Sequence, residues 1–423
     1  MSNQAFSAAD LLLPKAEFIE NWAAVACDQF TSEPEYWEKA YAIAGDKPST
    51  LGMILPEVYL EQADVAKRIE AAQANMEKYL TNGVFAEYPD AMIYIERVQS
   101  DGAVRAGLVG KVDLGEYDYR KGSKSLIRAT EQTVVERIPP RLKVREGAPV
   151  ELPHIMILID DAQKRVIEPL ATQKNRFVKL YDTPLMLGGG RLTGYLLDDA
   201  AKAEITAALA ELADLNAFNA RYDLTENNPM VYAMGDGNHS LATAKEFYEN
   251  LKKNNPSRNF TLHPARYALA ELVNLHSPAL AFEAIHRIVT EVDANALFTA
   301  LCGDLGATET PADGAQEIAA VLNCKVKKLY ITKPTSKLAV GSLQGFLDDF
   351  IRKNGGKIDY IHGEQVVLKL SAAPDSIGFL LPCMGKDELF PTVIADGALP
   401  RKTFSMGHAE DKRYYMEARK ITL

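Results

Sequence analysis

The chain has 423 residues, more than one ordinary hydrophobic core organises, so two or three domains or subdomains are expected. Hydrophobic residues make up 47% and charged residues 25%, the mixture of a soluble globular protein. The net charge of −10 argues against broad phosphate-backbone binding, which needs a basic face, and leaves room only for a local basic pocket.

Near the front, MSNQAFSAADLLLPKAEF has an apolar run of only three leucines with acids close by, and no stretch approaches the length of a membrane helix. Cysteines 27, 302, 324 and 383 are scattered without a C-x-x-C pair, so neither a zinc knuckle nor a disulfide scaffold is indicated. A cytoplasmic protein is expected. Residues 34–44 (PEYWEKAYAIA) read as a helix with Pro34 in its first turn, and a longer helical pattern runs from Glu57 to Tyr79. AMIYIERV (91–98) and AVRAGLVGKVDL (103–114) flank Asp101-Gly102 and predict a hairpin. HIMILID (154–160) reads as a strand buried on both faces.

A single helix is expected over 198–218, then a strand at 231–235, a helix at 238–253 and a strand within 265–275. DLGATETPADGAQ (304–316) is the most linker-like stretch. Beyond it VKKLYIT, KIDYI and SIGFLL read as strands, with LQGFLDDFIRK a helix. Intermixed strands and helices with hairpins predict a mixed α/β or α+β protein with a partly antiparallel sheet.

The densest chemistry lies in VYAMGDGNHSLATAKEFYENL, from Val231 to Leu251. Where a strand runs into a helix, the first backbone N–H groups lack intrahelical partners and the helix dipole favours an anion. Gly235 and Gly237 would let a phosphate approach, while Asn238, His239 and Ser240 offer side-chain donors. Asp236 suits a metal ion, a sugar hydroxyl or a proton to be moved. The competing reading is local: Asp236 or Asn238 caps the helix, the glycines make the turn and His239 packs. No G-K-[ST] follows, and Ser240 stands where a dinucleotide fingerprint has its third glycine.

A second cluster, Tyr117 to Arg141, is basic within an acidic chain through Lys121, Lys124, Arg128, Arg137 and Arg141. It reads either as a wall for an anionic ligand or as a solvated helix with Arg128 and Glu131 in i, i+3 spacing. AVACDQFTSEPEYW offers Asp28 beside a cap for the Pro34 helix. Gly188-Gly189-Gly190 reads as a mobile turn, and the stretch ending in KRYYMEARKI as a cationic wall or a surface tail helix. No H-E-x-x-H or G-x-S-x-G pattern is present.

Taken together, MGDGNHSLATA, ACDQFTSEPEYW, SLIRATEQTVVERIPPR, LAELVNLHSPALAFEAIHRIV, KIDYIHGEQ, SIGFLLP and LPRKTFSMGH resemble, in order, the family known as domain of unknown function 1015. That family carries a DGHHR-type motif and is similar to the ParB/sulfiredoxin-like superfamily. The resemblance implies a ParB/sulfiredoxin-like core over 1–290 and a C-terminal α/β lobe over 291–423. It implies ATP or ADP with Mg²⁺ as cofactor, some relatives being kinases of a free amino acid such as serine. Carried over residue by residue, Gly237, Asn238 and His239 would lie against phosphate, Asp236 would serve the substrate or a magnesium ion, and Glu131 and Thr133 match the family's R-H-E-x-T. Gly235, Ser240, Arg128, Thr133 and Lys402 are further candidate cofactor contacts. Asp236, His239 and Glu131 become catalytic candidates, and Asp28 and Arg287 substrate-binding ones. No dedicated set of metal ligands is assigned. Thr130 replaces the histidine of the family's R-H-E-x-T, Asn238 its first motif histidine and Ser240 its motif arginine. Losing that guanidinium removes a bidentate phosphate clamp unless Arg128, Lys245 or Lys402 substitutes.

Three readings stay open. One is a nucleotide-dependent phosphotransferase acting on a small polar metabolite, and another a ligand-binding sensor without chemistry. The third, a ParB-like DNA binder, conflicts with the acidic balance. A small-molecule ligand is the expected partner, with neither nucleic acid nor membrane; a homodimer is left open.

Overall fold

Alternating apolar residues in the hairpin strands decide which side of the central sheet each residue faces. Ile93 and Ile95 enter one core, with Trp22, Trp37, Leu269 and Met416, while Met92 and Tyr94 enter a second, with Ile157, Tyr232, Met234 and Leu272. Covering both faces of a sheet is what turns HIMILID into a near-continuous apolar run. The computed structural model describes residues 5–133, 135, 138–152 and 155–423; of the sequence expectations, Arg137 and His154 lie outside these.

The chain divides into two units. The first comprises Met1–Ala129, Thr133–Leu280 and His408–Leu423. Its ten-stranded mixed sheet runs, in spatial order, Val178–Pro184, Arg191–Leu196, Ile93–Val98, Val104–Asp113, Tyr267–Asn274, Met156–Ile159, Tyr232–Asp236, Ile127–Arg128 and Tyr117–Asp118. Phe6–Ser7 adds to Val104–Asp113. The 93–98 and 104–113 strands form the predicted antiparallel hairpin, Val98 facing Val104. Met156–Ile159 runs parallel to Tyr267–Asn274 but antiparallel to Tyr232–Asp236, which in turn runs parallel to Ile127–Arg128. The mixed α/β class with a partly antiparallel sheet is therefore as expected.

Two helix expectations change. The 198–218 helix is two, Asp199–Leu212 and Leu215–Tyr222, because the Asp214 side chain accepts the Ala217 N–H and starts a new N-terminus. The 57–79 helix begins only at Val65; Glu57–Tyr59 is a separate 3₁₀ turn in which Tyr59 is buried and Glu57 pairs with Arg141. The C-terminal stretch is no surface helix. Within the first unit it runs as a buried segment, Val25 bridging Tyr414, Leu12 bridging Ala418 and Arg419–Lys420 pairing with Val150–Glu151.

The second unit comprises Thr130–Gln132 and Ala281–Gly407. Its antiparallel sheet runs Ala307–Thr308, Lys325–Ile331, Gln316–Leu322, Ile377–Leu380, Phe282–Thr290 and Lys357–His362, with Phe404–Met406 on Phe282–Thr290. The expected linker at 304–316 carries the short strand Ala307–Thr308. The amphipathic helix Ala339–Asn354 buries Leu343, Phe346 and Leu347, each worth about 1.5–3 kcal/mol. Among the described residues no helix is long and apolar enough to cross a membrane.

Candidate functional site

The strand Tyr232–Asp236 buries Tyr232, Ala233 and Met234, then breaks register against Met156–Ile159 between Met234 and Asp236. The extra residue is Gly235, and such a bulge bends the strand end and re-aims Asp236. Gly237 follows at φ 81°, ψ 28°, a left-handed conformation that glycine takes without strain. It is the N-cap of the 17-residue helix Asn238–Asn254, and it brings no side-chain oxygen to the first turn.

Capping by Asp236 or Asn238 is therefore not what the turn uses. Asp236 Oδ1 accepts the adjacent Gly237 N–H at 3.0 Å, and its Oδ2 lies 3.4 Å from Lys412 Nζ, both side chains being largely buried. Asn238 Oδ1 is buried and has no hydrogen-bond partner among the described residues. His239 and Ser240 are half-buried, and the His239 carbonyl accepts the Thr243 hydroxyl at 2.7 Å. The helix buries Leu241, Ala244 and Tyr248 on its inner face, which fixes the turn to the sheet.

Of the three cations proposed to replace the motif arginine, Arg128 and Lys245 are engaged elsewhere. Arg128 stands beside Ala233 on the neighbouring strand but is buried, donating to the carbonyls of Ser125 at 3.0 Å and Asn228 at 3.4 Å. Burial holds its guanidinium below the ordinary value. Lys245 donates to the Leu114 carbonyl at 2.9 Å and pairs with Glu249 at 3.0 Å. Lys402, in the second unit, is exposed, and its carbonyl accepts Arg287 Nη1 at 2.9 Å.

Arg287 is itself fully buried there, with Nε on Gln344 at 3.1 Å and its guanidinium over the Tyr360 ring; burial lowers it to about 10. Glu131 bridges Leu399 in the same unit. In the first unit, Thr133 Oγ1 is buried without a hydrogen-bond partner among the described residues. Asp28 accepts Gln29 Nε2 at 2.9 Å. Asp236, Gly237, Asn238, His239 and Ser240 thus share one turn, and Arg128 flanks their strand. Glu131, Arg287 and Lys402 belong to the second unit.

Sequence reasoning passes over Lys412, the cation that meets Asp236, because nothing near either residue signals the pairing. It also passes over the outer side of the helix start. Ser240 and Thr243 line a cavity of about 150 Å³ with Cys27, Arg145, Glu151 and Tyr415, and Met53, Ile54 and Leu55 form part of its apolar wall. A cavity-lining hydroxyl at every third helical position is the one local signal, since Ser240 and Thr243 share a face.

A mixed sheet in which a strand end passes through a glycine turn into a helix defines an α/β protein. The chain belongs to the family described as Protein of unknown function (DUF1015), whose model matches residues 6–350. No curated protein matches it. Among solved structures it is similar to SbnI with C-terminal truncation from Staphylococcus aureus, at 8% identity and TM-score 0.37, covering 71% of this chain and 82% of that one. A conserved hypothetical protein from Pyrococcus furiosus matches at 9% and 0.35, covering 74% and 94%. A free serine kinase in complex with AMP matches at 11% and 0.37, covering 74% and 91%. Likeness at these scores is too distant to bring a ligand or an activity across, because function resides in a site and not in a fold.

Proposed function

We propose that the turn Gly235–Ser240 binds the phosphates of a nucleotide, ATP or ADP, and that the protein transfers a phosphoryl group to a small polar metabolite. The observation that carries this reading is the Asp236–Lys412 pair beside a helix start whose N-cap, Gly237, offers no capping side chain. A helix N-terminus without a capping side chain favours negative charge. Lys412 adds a mobile cation that can turn from Asp236 to phosphate. Asp236, once released, is an acceptor for the proton of a substrate hydroxyl. Such a site works by positioning and charge neutralisation.

Among the described residues no group of three or more His, Cys, Asp or Glu side chains is arranged to hold a metal. A Mg²⁺ would fit in the mode that uses one protein carboxylate plus substrate phosphates, with Asp236 as that carboxylate. There it would neutralise phosphate charge. The DGHHR-type resemblance of the turn supports the same assignment.

A second reading, binding without turnover, is favoured by one specific residue: Ser240 replaces the motif arginine that would clamp phosphate. A thermal-shift panel of AMP, ADP and ATP with and without Mg²⁺ tests the nucleotide reading. A ligand bound only by the folded state at a hundred times its Kd stabilises by about 2.7 kcal/mol. Lys412→Ala is expected to lose that shift, and Asp236→Asn to keep it while abolishing ATP turnover. Binding by the wild type without turnover selects the sensor reading, and absence of any nucleotide shift rejects both.

A further inference from the structure

Lys412 meets Asp236 beside the helix start, and its neighbours in the chain fix where it stands. Ala409–Asp411 makes a 3₁₀ turn, and Lys412 leaves it extended at φ −67°, ψ 171°. Asp411, itself buried, accepts the Ser100 N–H at 2.7 Å and the Ser100 hydroxyl at 2.8 Å. Arg97 Nη2 donates to the Glu410 carbonyl at 2.8 Å, and Arg105 Nη1 to the Asp411 carbonyl at 2.9 Å. On the C-terminal side Arg413 is tied to Glu271 and Glu417. Among the described residues the one ionic partner of Lys412 is Asp236.

The hairpin that supplies these anchors carries a local cost. Arg97 and Arg105 stand opposite each other on its two strands, and both are buried. Like charges directly opposite destabilise a sheet, and burial, then Arg105, bring the Arg97 guanidinium down to about 10. An apolar pair there would close the hairpin without that cost, but would leave the Glu410 and Asp411 carbonyls without these donors. Ser100 stands in the turn between the strands, which the Gly102 N–H keeps tight by donating to the Gln99 carbonyl at 3.0 Å. A turn that the sequence marks only as a connection is thus the post to which Asp411 is tied.

We infer that Ser100 and Asp411 are positioning residues: they hold the backbone of Lys412 in place, so that only its flexible stem moves between Asp236 and an anion. Two charge-assisted hydrogen bonds to one residue fix a carboxylate in direction as well as distance. A lysine presented from a fixed backbone reaches its target without first ordering the chain, which is the entropic advantage of a preorganised site. The use of Lys412 for phosphate rests on the nucleotide reading above. Its positioning by Ser100 and Asp411 does not, and each has its own measurement.

The test is acetylation of lysine amines in the full chain by acetic anhydride, followed peptide by peptide by mass spectrometry. Lys245, also largely buried and in the same unit, is the internal reference, because general loosening of the fold speeds both amines alike. Asp411→Ala is expected to raise the Lys412 rate several-fold against Lys245. Asp411→Asn still meets both groups of Ser100 with its amide oxygen and nitrogen, and should restore most of the protection. Ser100→Ala removes one of the two bonds and should give a smaller rise. A Lys412 rate unchanged in Asp411→Ala, or in Ser100→Ala should the first variant fail to fold, overturns the inference. So does a rise that Lys245 shares. Where ADP raises the melting temperature of the wild type, Asp411→Ala is expected to lose that rise and Asp411→Asn to keep it. Absence of the rise in the wild type rejects the nucleotide reading alone, and the labelling rates then judge the positioning.

Discussion

Glu271 is the only acid in the apolar run ALAELVNL, and its side chain has no exposure. An acid there demands a counterion, since a buried carboxylate is tolerated only when paired and hydrogen-bonded. It has two: Arg105 Nε at 3.3 Å and Arg413 Nη1 at 2.8 Å, with Arg413 Nη2 passing on to Glu417 at 2.6 Å and Tyr181 donating to Glu417. That the acid needs partners is legible in the strand. Which partners is not, because Arg105 and Arg413 come from distant parts of the chain.

Burial pushes the Glu271 carboxyl up, yet Arg105 and Arg413 win and leave it below its ordinary 4.5. A depressed folded-state value contributes stability that is present above 4.5 and is lost as pH falls through the folded-state value. Glu271→Gln takes the paired carboxylate from buried Arg105 and leaves Arg413 with Glu417 alone, and is expected to cost about 3–5 kcal/mol at neutral pH. It should also flatten the acid limb below pH 4.5. Urea unfolding of both proteins at stepwise lower pH checks this; parallel acid limbs would contradict it.

At the scale of elements, the strand-to-helix junction is read correctly from VYAMGDGNHS because period, glycines and helix propensity agree. The cap is misread as open between Asp236 and Asn238, since the local sequence offers three plausible capping residues and only backbone angles choose among them. Gly237 at φ 81° is that choice. Alanine there must adopt a left-handed conformation costing about 1–2 kcal/mol. Gly237→Ala is expected to lower unfolding stability by that amount. Gly237→Asn should lose less, because asparagine tolerates the conformation. Equal losses for the two, measured by denaturant midpoints at constant m-value, would show that side-chain crowding and not backbone angle dominates. Gly190 shows how crowding looks: φ is 78° and an added Cβ would lie 2.1 Å from the Val98 carbonyl, so the triple glycine is a packed corner where the sequence suggests a mobile turn.

At the scale of the molecule, the least legible feature is that the first unit is discontinuous. The chain leaves it after Leu280 and returns at His408. No hydropathy pattern announces this, because KRYYMEARKI is half charged and resembles a solvated tail. The charged residues are in fact buried: Arg413, Glu417 and Arg419 have 4%, 2% and 4% exposure, so each satisfies a partner laid down much earlier in the chain.

The segment also donates Tyr415, whose hydroxyl accepts the Cys27 N–H at 3.1 Å, and Met416, whose carbonyl accepts Trp22 Nε1 at 2.9 Å. Ending the chain at Gly407 would leave Glu271 with Arg105 alone, Glu151 with Arg145 alone and the first core without Tyr414, Met416 and Ala418. Each large buried side chain removed costs about 2–5 kcal/mol, and domains of this kind hold only 5–15 kcal/mol in reserve. The truncated protein is therefore expected to lose the cooperative unfolding transition of the first unit, seen as loss of near-ultraviolet circular dichroism and of a sharp melt. A synthetic peptide of residues 408–423 added in trans should restore both in part, because it returns the missing arginines to carboxylates that are already waiting. A truncated chain that melts as sharply as the full one would mean that the returning segment decorates a core already complete.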